Sequence, residues 1–250
     1  GQSDRQYDQA EIPLPPNFET RIAATERVAA KYDMLIGTAT PTEDDWRAVT
    51  ARYWGLVSQV DAAVGRILDT LRGAGLEKDT IVVFTSDHGD MMGSHQCITK
   101  GIDYEEAVRV PLILKIPGHH RCGSHIPNPV SQVDLVPTLL ELLGHQAPET
   151  LQGQSWCPLL DEGMPLKETD VFLEWHGAGK SNPDRRTVVT EDGWKLIWRA
   201  DGSQSLFNLE NDPHEQTDLG HSDRHQSIIS GLKARIRAWQ ARTNDKDYHD

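Results

Sequence analysis

Thr85-Ser86-Asp87-His88-Gly89-Asp90-Met91-Met92-Gly93-Ser94-His95, followed by Lys100-Gly101, is the stretch from which the rest of the chain is read. Just before it, Ile81-Val82-Val83-Phe84 is apolar without alternation. That is the pattern of a strand buried on both faces. In open α/β sheets, ligands bind at the carboxyl ends of strands, so Asp87 and His88 are placed on a rim where chemistry is done. A carboxylate beside an imidazole pairs a hard with a borderline metal ligand, and Gly89 frees the backbone to turn. The pair reads as half of a metal site. Taken alone, the same dipeptide also suits a capping aspartate and a surface histidine. A second histidine, His95, and a cation, Lys100, follow within reach.

Upstream, Thr42-Glu43-Asp44-Asp45 carries a capping residue with an acid three positions on, the signature of a helix start. Trp46, Val49, Tyr53, Val57, Val60, Val64, Ile67 and Leu71 recur at steps of three and four, which predicts one apolar face of a long helix. Gly73 and Gly75 end it. A helix leading into a buried strand predicts half of a βαβ unit, with parallel strands. Arg21 to Lys31 is expected to form a short helix, and Gly1 to Pro16 an extended segment.

Downstream, the long loop from Gly89 to Arg109 is of the kind that carries function on a sheet rim. Tyr104-Glu105-Glu106 and Arg109 are expected to brace it. Leu112 to Ile116 is a second buried strand. His119, His120 and His125 lie on the loop after it and are expected to be exposed and incidental. Asp134 is expected to cap a helix that tolerates Pro137 in its first turn and ends at Gly144. Beyond about Gly153 the pattern changes. Val171–Trp175, Thr187–Thr190, Lys195–Arg199 and Ser205–Leu209 predict short strands, with Asp192-Gly193 and Asp201-Gly202 as turns. Ile228, Leu232, Ile236 and Trp239 predict a closing amphipathic helix. Trp175 and His176 stand at a strand end and are not assigned a substrate contact.

The chain has 250 residues, 37% of them hydrophobic, with seven tryptophans, enough to bury a core. Its formal net charge of −13 argues against non-specific nucleic-acid binding, which needs cations to displace counterions. No apolar run reaches the ~18–20 residues of a membrane-spanning helix. The three cysteines sit at unrelated spacings and form neither a disulfide framework nor a zinc knuckle. Bacterial cytoplasm, periplasm and a secretory compartment are all compatible.

Several stretches in order carry a family resemblance: Ile12-Pro13-Leu14-Pro15-Pro16-Asn17-Phe18, Val64-Gly65-Arg66-Ile67-Leu68, Thr85-Ser86-Asp87-His88-Gly89 and Lys100-Gly101 with Tyr104-Glu105. They continue through Arg109-Val110-Pro111-Leu112-Ile113, Val133-Asp134-Leu135-Val136-Pro137-Thr138, Leu151-Gln152-Gly153-Gln154-Ser155 and Leu206-Phe207-Asn208-Leu209. Together they resemble the second half of the sulfatase family, within the alkaline-phosphatase-like superfamily. The resemblance implies an α/β fold: a mixed sheet flanked by helices, with a small C-terminal antiparallel sheet and a closing helix. Residues 1–152 would be the C-terminal part of the catalytic α/β domain, and residues 153–250 a small C-terminal subdomain.

The resemblance also implies chemistry. Asp87 and His88 would be metal ligands, joined by aspartates from an upstream half. The divalent ion would be Ca2+ first, with Mn2+, Mg2+ or Zn2+ open, because Asp-His replaces the Asp-Asn common in calcium sulfatases. Lys100, thirteen positions after Asp87, would be both catalytic and substrate-binding, holding sulfate or leaving-group oxygens where charge develops. His95 would be catalytic too, either orienting the site or donating a proton to the leaving alcohol.

The family nucleophile is a formylglycine made from a Cys-x-Pro/Ala-x-Arg element, and Cys97, Cys122 and Cys157 do not fit that element. No nucleophile is expected in this chain. The expected protein is therefore a longer sulfatase acting on a small-molecule or glycan sulfate ester, with an N-terminal half as partner. A phosphodiester or phosphonate monoester hydrolase of the same superfamily, or an inactive fragment, are the alternatives. Without upstream neighbours, apolar sheet edges would be exposed, and the isolated chain would be poorly soluble.

Overall fold

Thr42 begins the longest helix, α1 (Glu43–Gly73), with a complete capping box. The Asp45 amide donates to Thr42 Oγ1 at 3.3 Å, and the Thr42 amide donates back to Asp45 Oδ2 at 2.8 Å. The far end closes as a Schellman motif. Leu76 N–H donates to the Leu71 carbonyl and Gly75 N–H to that of Arg72, with Gly75 at φ +73°. This computed structural model describes residues 7–22, 35–38, 40–161, 163–177 and 183–245. Most of the helix expected over Arg21 to Lys31 lies outside the described residues. The chain divides into two units, Gly1–His119 and His120–Asp250.

In the first unit, the segment after Tyr7 lies along the start of α1. Phe18 meets the edge of the buried Trp46, Tyr7 meets Trp54, and the Arg47 guanidinium reaches the Ile12 carbonyl. Further along, the apolar stripe is open: Val57 and Ile67 are 52% and 66% exposed. Strand β1 (Val82–Thr85) pairs with β2 (Leu112–Lys115), Val82 opposite Lys115 and Thr85 opposite Leu112.

This pairing is antiparallel, which corrects the parallel arrangement expected from the sequence. The connection between the strands holds a 3-10 turn over Ser94–Gln96 and the short helix α2 (Glu105–Val108). Its length exceeds the dozen or so residues a parallel return needs, so length permits either sense; with no long helix to recross the sheet, the chain turns back beside β1. Nor is this two-stranded sheet buried on both faces, since Phe84 and Ile113 are exposed.

In the second unit, α3 (Leu135–Leu142) follows a 3-10 turn over Gln132–Asp134, with Pro137 in its first turn and Gly144 past its end at φ +77°. Asp134 stands at the N-cap position, but its side chain does not cap. Its carboxylate instead accepts from the Gln154 amide at 2.8 Å and the Trp156 indole at 3.2 Å. The two longer-range donors win because Asp134 is buried among them, and a buried carboxylate needs all the donors it can reach. Gly153 is obligatory at this join, since a Cβ there would lie 2.2 Å from the Val133 carbonyl oxygen. Helix α4 (Cys157–Asp161) follows.

A four-stranded antiparallel meander then forms from β3 (Val171–Trp175), β4 (Arg185–Val189), β5 (Trp194–Arg199) and β6 (Gln204–Asn208). Gly193 and Gly202 occupy positive-φ turn positions, as Asp-Gly hairpins require. Period-2 alternation puts Val188, Leu196, Trp198 and Leu206 on one core, sealed by Ile229, Leu232 and Ile236 of α5 (Gln226–Thr243). Phe172 stacks on Trp239 with ring centroids 5.2 Å apart. Each such aliphatic side chain contributes roughly 1.5–3 kcal/mol on burial. The change of pattern at Gly153 lies inside this second unit. Among the described residues, no helix is long and apolar enough to cross a membrane.

Candidate active site

Strand β1 ends at Thr85 and delivers Asp87 and His88 to an exposed turn. The His88 amide donates to Asp87 Oδ1 at 3.0 Å, and the Ser86 hydroxyl donates to the His88 carbonyl at 2.9 Å. The amide bond from His88 is the main reason the Asp87 carboxyl is held below the usual carboxylate range. It is an anion across the physiological range, with its side chain 83% exposed.

The His88 ring is oriented by its own neighbour. A carbonyl can only accept, so the 2.8 Å contact between Nδ1 and the Gly89 oxygen makes Nδ1 the protonated nitrogen. Nε2 then faces Asp87 Oδ2 at 3.3 Å. A cation, whether a proton or a metal ion, can lie between the two. A ligating histidine usually donates its other N–H to a carbonyl in this way. The donor pair therefore fits a divalent ion, but only in part. Among the described residues, no group of three or more His, Cys, Asp or Glu side chains could hold a metal. Two donors fall short of the four of zinc or the six to eight of calcium.

Gly89 serves a different purpose from the one its sequence context suggests. It is not at positive φ, so it does not make the turn. A Cβ there would lie 2.0 Å from the Glu106 carbonyl oxygen, and its N–H donates to the Ala107 carbonyl at 2.9 Å. It is a point of close backbone approach between the turn and α2.

The loop that follows is tightly built. Asp90 Oδ1 accepts from the amides of Met92 and Thr99, pinning both ends. Met91, Cys97 and Ile98 form its buried interior. Met92, His95, Gln96 and Thr99 all adopt positive φ, uncommon for residues with a Cβ and least expected for the β-branched Thr99. Such strain persists where surroundings over-determine the backbone, and it clusters at functional sites. Lys100 follows Thr99 directly, is exposed, and forms no ion pair with any described residue.

His95 lies elsewhere in character: it is wholly buried. Nδ1 meets the Thr20 carbonyl at 2.8 Å, Nε2 meets Asn17 Nδ2 at 3.0 Å, and Tyr104 tilts against the ring. Asn17 Nδ2 also donates to Glu106 Oε1 at 2.7 Å. Tyr104 and Glu106 thus brace the loop, whereas Arg109 is exposed. Asn17 is the participant that spacing alone does not single out. Its only signal is its place in a shared Pro-Pro-Asn-Phe stretch. His120 donates to the Asp161 carbonyl. Arg185 covers the Trp175 ring at 4.9 Å, and His176 is exposed.

Comparison with known proteins gives the family and the fold. Residues 12–145 match the Sulfatase family model, and residues 93–242 match the model described as N-sulphoglucosamine sulphohydrolase, C-terminal. The chain belongs to the sulfatase family. Mouse (Mus musculus) arylsulfatase K is 34% identical over 208 residues, covering 79% of this chain and 36% of that protein. The structure of BT1596, a 2-O GAG sulfatase, superposes with a TM-score of 0.84 at 26% identity, covering 96% of this chain and 54% of that one. The phosphonate monoester hydrolase of Agrobacterium radiobacter superposes with a TM-score of 0.79 at 25% identity, covering 96% and 53%. The fold is accordingly the alkaline-phosphatase-like α/β fold with a small antiparallel sheet and closing helix. The chain spans about two fifths of the length of the curated relatives it matches.

Proposed function

We propose that this chain supplies the C-terminal part of the active site of a metal-dependent hydrolase acting on sulfate monoesters. The observation that carries the reading is the Asp87–His88 pair: an anionic carboxylate and an oriented imidazole, 3.3 Å apart at the end of β1. Asp87 and His88 would hold one divalent ion together with donors from outside this chain. Calcium or Mg2+ suits Asp87, and Mn2+ or Zn2+ suits the imidazole better. When bound, such an ion polarises the ester's non-bridging oxygens. Lys100 holds a fixed positive charge toward an oxygen that gains charge as the S–O bond breaks. Its exposed position, with no carboxylate among the described residues paired to it, supports that role. Of the two roles open to His95, the buried geometry favours orientation over proton donation, because both nitrogens are already engaged.

The nucleophile, taken to be formylglycine, comes from an N-terminal half outside this chain. The open apolar stripe of α1 supports such a partner, as does the span of the relatives. Residues 1–152 then belong to the catalytic domain and 153–250 to the small subdomain. A sulfated sugar is the substrate class favoured, since the matched C-terminal model and the superposed 2-O GAG sulfatase both concern sulfated sugars. The rival reading, a phosphodiester or phosphonate monoester hydrolase, draws on the likeness to the Agrobacterium enzyme and on the Asp-His pair.

The deciding experiment assays the full-length protein on an aryl sulfate and an aryl phosphodiester side by side, with Lys100→Ala as control. Preferential sulfate turnover, lost in the variant, supports the sulfatase. Preferential phosphodiester turnover supports the rival. The 250 residues alone should show no turnover of either ester. Turnover by them would overturn the placement of the nucleophile outside this chain.

A further inference from the structure

Asn17, His95 and Glu106 come from three separate stretches of the first unit and meet behind the turn that carries Asp87 and His88. We propose that these three are positioning residues that set the geometry of that turn; this rests on the reading of Asp87 and His88 as metal ligands. The polarity of the network has one solution. The Thr20 carbonyl only accepts, so His95 Nδ1 carries a hydrogen. Nε2 then accepts from Asn17 Nδ2, which gives its second hydrogen to Glu106 Oε1. Glu106 Oε2 is buried with no hydrogen-bond partner among the described residues. The bond from Asn17 is therefore what fixes this carboxylate. Asn17 also receives the His95 amide on its own carbonyl at 3.3 Å, which helps hold His95 at its left-handed φ of 53°.

The brace reaches the ligand pair through backbone. The Glu106 carbonyl lies where a Gly89 Cβ would be, 2.0 Å away, and the adjacent Ala107 carbonyl accepts the Gly89 amide. The Gly89 carbonyl in turn accepts His88 Nδ1–H at 2.8 Å. Displacing Glu106 thus moves Gly89, and moving Gly89 rotates the His88 ring away from Asp87. No member of the brace touches the reacting ester in this account.

Asn17→Asp tests this in the full-length protein. It keeps the shape of the side chain but faces Glu106 with a second carboxylate and offers His95 no hydrogen. Affinity for Mn2+, measured by calorimetric titration, should fall about 10–100-fold, the loss usual for groups that orient a ligand. In assays at saturating Mn2+, kcat should fall with little change in KM. Adding Glu106→Gln to Asn17→Asp restores a donor–acceptor pair of reversed polarity between these two, though not the hydrogen given to His95, and should recover part of the lost affinity, which a purely destabilising change would not allow. Unaltered Mn2+ affinity in a folded Asn17→Asp protein overturns the proposal. Should that variant not fold, Glu106→Ala removes a half-buried side chain and carries the same expectation, and unchanged affinity there is equally fatal. Asp87→Asn separates the two readings. If it abolishes Mn2+ binding while the brace variants do not, the brace alone is wrong. If it binds Mn2+ as tightly as the wild type, the ligand assignment itself fails, and the brace with it.

Discussion

The two units solve the problem of burial differently. In the second, four strands and α5 close on one another, so that Val188, Leu196, Leu206 and Ile236 are lost to solvent altogether. In the first, α1 and the β1–β2 pair keep Val57, Val60, Ile67 and Ile113 in water, and what is tightly built is the loop from Asp90 to Lys100. One unit concentrates stability and the other concentrates chemistry. A sheet needs several strands and a covering layer before it stands alone, and the two-stranded sheet has neither among the described residues.

The largest expected effect attacks the open face. The 250-residue chain should aggregate at micromolar concentration, and Val57→Glu with Val60→Glu should raise its soluble yield severalfold. Equal behaviour of variant and parent by light scattering would mean that the face is covered in solution.

Lys100→Ala in the full-length protein should lower kcat by about 10²–10³, the usual loss for a group that stabilises developing charge, with an unchanged thermal midpoint. A large fall in midpoint would break the separation of chemistry from stability.

The converse variant is Glu215→Ala. Glu215 and Lys195 form an ion pair at 2.9 Å, both wholly buried. Removing one partner should cost roughly 3–5 kcal/mol in urea unfolding, with kcat unaffected in whatever fraction stays folded.

The smallest effect concerns pH. Burial raises the Asp134 carboxyl above its ordinary value of 3.8. An acid with a raised folded-state value contributes stability that is full below the unfolded value and lost as pH rises through the folded one. The midpoint of Asp134→Asn minus that of the wild type should therefore climb as pH rises from below 3.8 to neutrality. A flat difference would show that the carboxyl is not perturbed.

Local grammar was legible where the chain makes its own partners. The Thr42 capping box, the glycine end of α1, the four short strands and the closing helix all stand within about two residues of where periodicity puts them, as single-segment signals allow. Contacts over distance were not legible. Nothing local says that the β1–β2 connection doubles back. Nothing says that the Asp134 carboxylate prefers an amide 20 residues away to its own helix. Lys195 alternates with buried neighbours and would be assigned to water by charge alone, yet it finds Glu215. At the site, Asp87 and His88 were visible because adjacent ligand types are rare. Asn17 was not, because its meaning lies in His95 and Glu106, 78 and 89 positions away.

One contact bears on how the protein can be handled. The last described residue, Asp245, grips the buried Arg186 of β4 with both oxygens, at 2.6 and 2.8 Å. It also accepts from Gln240 at 3.2 Å. Trimming the chain through Asp245 removes both carboxylate bonds to a guanidinium deep in the small sheet. Expression boundaries for this region are therefore best drawn beyond Asp245, and a chain ending at Asn244 should unfold at a lower temperature than one ending at Asp250.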